Sequence, residues 1–264
     1  MNSMNQIHKG TVFITGASSG IGYNTALAAI KEGYRVILAA RRLEKLEKLQ
    51  QQCNSIKTNS AIIYQLDLYE IDQVESVITK VLSNYSVDIL VNNAGIGLTK
   101  YVKDLTYKDI ETVFRVNVLS LMYITKLFAA HFVDQKHGHI IQIGSLAAKV
   151  PTQKTSVYSA SKAAVLSFND VLRQEVKPHN IFVTTVNFGP VDTEFFQKVD
   201  TSPSYTEKVK PFMLSEEAVS KKIVSIMNTD KREVNKPLLL AIGTKLYQLV
   251  PSLGDRLLSK IFRK

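Results

Sequence analysis

The chain has 264 residues, of which 45% are hydrophobic and 21% charged; this is the balance of a globular protein with a sizeable core and excludes a disordered or fibrous chain. Cys53 is the single cysteine, so no intrachain disulfide can form, and a reducing cytoplasmic compartment is expected. The formal charge of +10 suits an anionic partner, whether nucleic acid, anionic lipid or a phosphorylated ligand, and the sign alone does not choose among them.

Met1 to Gly10 is polar and lacks the apolar stretch of a signal peptide. No apolar run approaches the ~20 residues that cross a bilayer. From Thr11 onward, short β-branched runs alternate with longer segments of helical spacing. Strands are predicted over Thr11 to Thr15, Arg35 to Ala40, Ala61 to Leu66, Asp88 to Val91, His139 to Gly144 and Ile181 to Asn187, with a last one near Pro237 to Ile242. Apolar strands separated by helices imply βαβ units with right-handed crossovers. The expected fold is therefore α/β: a single Rossmann-type, doubly wound parallel sheet of about seven strands with helices on both faces, in one domain spanning 1–264.

Between the first strand and the first helix, which covers Tyr23 to Lys31, stands Thr15-Gly16-Ala17-Ser18-Ser19-Gly20-Ile21-Gly22. Glycines there let the backbone turn tightly and approach a pyrophosphate, and the N-terminus of the following helix attracts its charge. A plain strand-to-helix connector would also be glycine-rich. The second strand ends Ala39-Ala40-Arg41-Arg42, with no carboxylate to hold a ribose 2'-hydroxyl. Two guanidinium groups at that place suit a 2'-phosphate, with Arg41 nearest the strand end. The alternative is that both arginines merely begin a solvated helix.

Further along, Tyr158 and Lys162 lie four residues apart in a helical segment running from about Thr155 to Val176, and so share one face. A neighbouring ammonium favours the phenolate, which makes a tunable acid/base pair; a surface pair is the alternative. From Gly189 to Leu214 the periodicity fails and Pro190, Pro203 and Pro211 accompany Phe195, Phe196, Tyr205, Phe212 and Met213. This is read as a substrate lid over about 189–214 at the carboxyl edge of the sheet. A basic amphipathic extension covers about 244–264, where Leu246, Leu249, Val250, Leu253, Leu257, Leu258, Ile261 and Phe262 recur at helical spacing. Pro251 is expected to split it into two helices, with Ser252 capping the second. Lys245, Arg256, Lys260, Arg263 and Lys264 make it basic, so it could lie on an anionic membrane or pack on the body of the protein or a second subunit.

Taken together, these motifs resemble the short-chain dehydrogenase/reductase family. Thr15 to Gly22 matches its T-G-x-x-x-G-x-G, Asn92-Asn93-Ala94-Gly95 its N-N-A-G, and Tyr158 to Lys162 its Y-x-x-x-K; Ser145 matches the catalytic serine and Asn117 the active-site asparagine. The resemblance runs from about residue 10 to 195. It implies that Tyr158 exchanges a proton with a carbonyl or alcohol, that Lys162 lowers the tyrosine pKa and binds the nicotinamide ribose, and that Ser145 donates to the carbonyl oxygen. It implies that Asn117 holds a water in a proton relay through its helix backbone. Cofactor contacts are implied for Gly16, Ser18, Ser19, Gly20, Ile21, Gly22, Arg41, Arg42, Asp67, Leu68, Asn93, Ala94, Gly95, Tyr158, Lys162, Pro190, Val191 and Thr193. Asn92 and Asn93 could equally be structural hydrogen-bonding residues, and Asp67 a helix cap.

Two departures from the pattern stand out. Leu146 follows Ser145 where many relatives carry a second serine, and Ser19 replaces a basic residue that often assists NADP binding. The expected function is an NADP(H)-dependent oxidoreductase moving a hydride between nicotinamide and a carbonyl or secondary alcohol, on a hydrophobic small molecule. The competing expectation is a non-catalytic dinucleotide-binding sensor or interaction protein. No metal site and no nucleic-acid partner are expected; a homodimer or homotetramer is expected by resemblance and a cytoplasmic location from the lone cysteine, while the tail could touch the cytosolic face of a membrane or pack on the protein or a second subunit.

Overall fold

The structure, a computed structural model, describes residues 9–199, 207 and 209–262, and side chains within them except at 197–199 and 257–262. Strand β1 (Thr11–Thr15) leads through the glycine-rich turn into α1 (Gly20–Lys31), followed by β2 (Arg35–Ala40), α2 (Leu43–Ile56), β3 (Ala61–Gln65), α3 (Ile71–Asn84) and β4 (Ile89–Asn92). Then come α4 (Tyr107–Phe114), a π-helical turn over Arg115–Leu119, α5 (Ser120–Gln135), β5 (Gly138–Ser145), α6 (Ser156–Val176) and β6 (Ile181–Phe188). The chain continues with the short α7 (Glu194–Val199), α8 (Glu216–Ser225), β7 (Glu233–Lys236), α9 (Leu238–Leu249) and α10 (Pro251–Phe262).

All seven strands are parallel and form one sheet in the order β3-β2-β1-β4-β5-β6-β7. Because successive side chains point to opposite faces, each strand feeds two cores. Val12 and Ile14 join Leu46 and Leu49 of α2 and Ile223 of α8, whereas Phe13 joins Ile78 of α3 and Phe128 and Phe132 of α5. The rings of Phe13 and Phe128 lie 5.1 Å apart. Burial on both faces explains the near-continuous apolar strands and the parallel sheet they dictate. Helix α5 belongs to an apolar helical stretch over 107–135, whose Ile124, Phe128 and Phe132 are fully buried against the sheet.

The chain winds one way from β1 to β2 and β3, then returns to β4 on the other side of β1. Helices on opposite faces leave a crevice at the carboxyl ends of these strands, and the glycine-rich turn lies in it.

Two expectations need correction. The last strand is not at Pro237 to Ile242 but at Glu233–Lys236, and Leu238 begins a helix. Strand β7 is an edge strand paired only with β6, and of its four residues only Val234 is buried, so it carries no apolar signature. The Leu238-Leu239-Leu240-Ala241-Ile242 run is apolar without being a buried strand: Ala241 faces inward, while Leu238 and Leu239 are exposed. In the tail, Pro251 does divide two helices, but it is itself the first residue of α10, so the cap position falls on Val250 rather than Ser252. Tyr205, Pro203, Arg263, Lys264 and the polar start Met1 to His8 lie outside the described residues, as do the side chains of Leu257, Leu258, Lys260, Ile261 and Phe262.

Cys53 on α2 is fully buried in the core with Leu46 and Leu49, and burial pushes its thiol up to about 12. The native protein should therefore resist a thiol reagent such as DTNB at pH 8 and release one equivalent of chromophore only when unfolded; fast labelling of native protein would contradict this packing.

Candidate functional site

The crevice opens into a cavity of about 1620 Å³ lined by the ends of β1 to β6, by the segment after β6 and by α9 and α10. At its floor, Gly16 has φ of +67° and Gly20 of +61°, a left-handed backbone that glycine adopts without cost. A Cβ at Gly16 would meet Ala94 Cα at 2.8 Å, and one at Gly22 would meet Asn93 Nδ2 at 2.5 Å and Gly16 O at 2.6 Å. The absence of side chains lets the turn lie against the end of β4 and brings the N-terminus of α1 to the cavity. Asn93 stitches the two strands together: its Nδ2 donates to Thr15 O (3.0 Å) and Gly16 O (3.2 Å), and its backbone N–H donates to Thr15 Oγ1 at 3.1 Å. Asn92 is buried and donates to Thr125 Oγ1 at 2.9 Å. For this pair the structural role is the one the geometry displays.

Above the turn, Arg42 donates from Nη2 to Ser18 Oγ (3.1 Å) and to Ser19 Oγ (2.8 Å). Both arginines line the cavity. Arg41 is exposed and its backbone carbonyl accepts from Gln65 Nε2 at 3.0 Å, so the guanidinium whose contacts converge on the glycine-rich turn is that of Arg42. Asp67 and Leu68 border the same end of the cavity. The Asp67 carboxylate accepts from Tyr69 N–H at 3.0 Å, and the cap position of α3 falls on Glu70, so Asp67 closes a turn and does not cap the helix.

The opposite wall carries Ser145, Tyr158 and Lys162. Strand β5 ends at Ser145, and its Oγ accepts from Ala147 N–H at 3.1 Å, an arrangement that leaves the hydroxyl able to donate. Helix α6 sets Tyr158 and Lys162 on one face, with the Lys162 ammonium 6.0 Å from the centre of the Tyr158 ring. Lys162 is 5% exposed and donates to Ile143 O at 2.9 Å. Burial pulls its pKa down to about 8, because leaving water disfavours the charged form.

Behind this wall lies Asn117, in the π-helical turn, fully buried. Its Oδ1 accepts from Ile96 N–H at 2.8 Å, and its Nδ2 donates to Ile96 O at 2.9 Å and Ser161 Oγ at 3.1 Å. Asn117 thus ties α6 to the loop after Gly95. A Cβ at Gly95 would lie 3.3 Å from Asn117 Oδ1 and 3.6 Å from Lys162 Nζ, which places these three residues in one knot. A π-turn at this spot is the kind of local helix irregularity found at functional sites.

Of the segment after β6, Pro190, Val191 and Thr193 line the cavity. Its two ends are pinned: Leu214 N–H donates to Pro190 O at 2.9 Å and Asp192 N–H to Leu214 O at 3.0 Å. Thr193 Oγ1 accepts from Phe196 N–H at 3.1 Å and so opens α7. Phe195 of α7 lies 6.1 Å from Tyr158, ring centre to ring centre.

Every predicted site residue except Gly22 and Asn117 lines this cavity, and those two stand directly behind its wall. Sequence reasoning missed the Ile143 carbonyl, which carries no side-chain signal. It missed Glu194, which pairs with residues some 150 positions away. It also missed the part the tail plays, since Leu240, Thr244, Tyr247, Val250 and Gly254 close one side of the cavity.

A model of the family described as short chain dehydrogenase matches residues 10–204. Among curated proteins, the chain is similar to an NADP-dependent 3-hydroxy acid dehydrogenase of Schizosaccharomyces pombe, 33% identical over 81% of this chain and 86% of that one. It is similar also to the 11-beta-hydroxysteroid dehydrogenase-like 2 protein of Arabidopsis thaliana, 31% identical over 95% of this chain and 81% of that one. Among solved structures it is similar to a short-chain dehydrogenase from Sphingobium yanoikuyae in complex with NADPH, with a TM-score of 0.80, 25% identity and coverage of 97% of this chain and 96% of that one.

Gly22→Ala tests the tightest of these contacts. The added methyl must displace Asn93 or the Gly16 carbonyl, and overpacking of this kind costs about 1–3 kcal/mol. The melting temperature should fall by several degrees and nucleotide binding should weaken with it; an unchanged melting curve would show that the turn has room to spare.

Proposed function

Because the chain belongs to the short-chain dehydrogenase family, we propose that it is an NADP(H)-dependent oxidoreductase that interconverts a carbonyl and a secondary alcohol on a hydrophobic small molecule. The single observation that carries this reading is the presence of Tyr158, Lys162 and Ser145 on one wall of a cavity whose other wall holds Arg42 over the glycine-rich turn. The residues fit NADP(H). The side-chain-free cradle at Gly16 and Gly20 and the N-terminus of α1 suit the pyrophosphate, and Arg41 and Arg42 suit the 2'-phosphate. Arg42, reaching Ser19, brings a cation to the place where relatives often carry a basic residue. Both the S. pombe relative and the S. yanoikuyae structure are described with this cofactor, which supports the choice over NAD.

When bound, the nicotinamide supplies or accepts the hydride. The protein's own residues manage the proton and the charge. Tyr158 donates a proton to the carbonyl oxygen during reduction and withdraws one from the alcohol in the reverse direction. Ser145 donates to the same oxygen and stabilises charge as it develops. Lys162, cationic below about pH 8 and fixed by Ile143 O, holds its ammonium near the phenol and favours the phenolate. Asn117 keeps α6 and the loop after Gly95 in register, so that these groups stay aligned.

A hydrophobic substrate is supported by the apolar side chains that line the cavity, among them Phe195, Phe212, Leu240, Tyr247 and Val250. A second reading, a 3-hydroxy acid as in the S. pombe relative, is favoured by Lys154, which also lines the cavity with its ammonium over the Tyr101 ring and could meet a carboxylate. Leu119 and Val171, exposed on α5's approach and on α6, support a homodimer or homotetramer. For the tail, Leu238, Leu239, Ile242, Leu246, Leu249 and Leu253 are exposed beside the cavity mouth, with Lys236, Lys245 and Arg256 among them. An apolar surface mixed with cations matches an anionic bilayer, and we propose peripheral contact with the cytosolic face of a membrane.

Two measurements test this. A panel of hydrophobic ketones, aldehydes and 3-hydroxy acids followed by NADPH absorbance should give turnover that Tyr158→Phe lowers by about 10²–10⁴-fold. For carbonyl reduction kcat/KM should fall as pH rises through about 8, where Lys162 loses its proton. Turnover retained in Tyr158→Phe would reject the mechanism. Separately, the protein should sediment with anionic vesicles and not neutral ones, and Leu246→Glu with Leu249→Glu should abolish this without shifting the melting temperature, since these side chains are 61% and 78% exposed. No sedimentation of the unaltered protein would remove the membrane.

A further inference from the structure

Glu194, the first residue of α7, comes from the segment after β6 and is bound to the cations beside the glycine-rich turn. Its carboxylate stands 3.7 Å from Arg42 Nη1 and accepts from Lys45 Nζ at 3.3 Å. Arg42 meanwhile holds Ser18 and Ser19 through Nη2, so one guanidinium spans the phosphate turn on one side and a carboxylate on the other. Two more acids crowd this corner. Glu216 accepts from Asn24 Nδ2 at 2.6 Å, and its carboxyl is pushed upward by burial and by the neighbouring charges of Asp192 and Glu194. The cations Arg42 and Lys45 are the favourable place for the Glu194 charge, since a turn toward Asp192 or Glu216 brings like charges together.

A 2'-phosphate on the cofactor would seek the same guanidinium. It carries nearly two negative charges and binds Arg in a bidentate manner, while a carboxylate within a few ångströms of it repels it. We infer that Glu194 is a specificity-determining residue: a carboxylate of the protein's own that competes with the cofactor's 2'-phosphate for Arg42, and so reduces the preference for NADP(H) over NAD(H) that the arginine alone would confer. The inference rests on the NADP(H) reading above and adds to it a residue that opposes the phosphate. A cofactor without the 2'-phosphate does not enter the competition.

The test is direct binding, read from the fluorescence of NADPH and NADH titrated against the full-length protein at low ionic strength, where exposed charges act most strongly. Glu194→Gln keeps the shape and removes the charge. It should tighten NADPH about two- to five-fold, the range expected of an exposed ion pair, and leave NADH unchanged. Arg42→Ala should weaken NADPH selectively, and in that background Glu194→Gln should give no gain. If Arg42→Ala weakens NADPH selectively while Glu194→Gln leaves NADPH unchanged or weaker, Glu194 positions the arginine and the competition is refuted with the cofactor reading intact. If Arg42→Ala weakens both nucleotides equally, Arg42 does not read the 2'-phosphate, and the competition falls together with that assignment.

Discussion

Lys162 carries its ammonium into the interior of the protein, and much of the site's architecture follows from keeping it there. Burying a charge is costly unless it is hydrogen-bonded, and the compensation comes from the carbonyl of Ile143, 2.9 Å away. That bond joins α6 to β5 at the level where the strand delivers Ser145. It fixes the height of the helix against the sheet, and with it the place of Tyr158 one turn earlier. The remaining cost shows in the depressed lysine pKa, which brings a group that is normally a permanent cation into the range where it can exchange protons.

Around that ammonium the chain avoids bulk and supplies rigidity. Gly95 adds no side chain over Lys162 and Asn117. Asn117 answers both polar groups of Ile96 and reaches Ser161, so the loop after β4 and helix α6 move as one body. The π-turn that carries Asn117 is tied on its other side by Ser120, whose hydroxyl donates to Leu68 O at the end of the β3 segment. Through this chain of contacts the wall that carries Tyr158 and Lys162 and the end of the cavity bordered by Asp67 and Leu68 share a common support. Preorganisation of this sort is what an electrostatic site needs, since donors already in place cost nothing to reorient during reaction.

The two sides of the cavity are built on different principles. The side at the glycine-rich turn is backbone: a turn with two left-handed glycines, a helix N-terminus and a pair of strand ends held by Asn93. The other side is assembled from side chains of elements far apart in sequence, including α7 and the two C-terminal helices. A backbone cradle suits a constant ligand, whereas a wall of apolar side chains can vary with the substrate. Glu194 stands where the two sides meet, in contact with the cations of one while belonging to the other.

What could be read from the sequence was what is local. Period and β-branching located six strands of the seven, because strands buried on both faces announce themselves as apolar runs. The spacing of Tyr158 and Lys162 implied a shared helical face, and the glycine pattern implied a tight turn before α1. Strand β7 escaped because an edge strand need not be apolar, and Leu238 to Ile242 misled because an apolar run has no period to tell a strand from a helix. Only the tertiary structure decided which arginine reaches Ser18 and Ser19, that the buried ammonium rests on a main-chain oxygen, and that the tail closes the cavity instead of standing apart from it. These are contacts between residues separated by tens to hundreds of positions. Their partners are chosen by how the sheet and helices pack, so no window along the chain contains them.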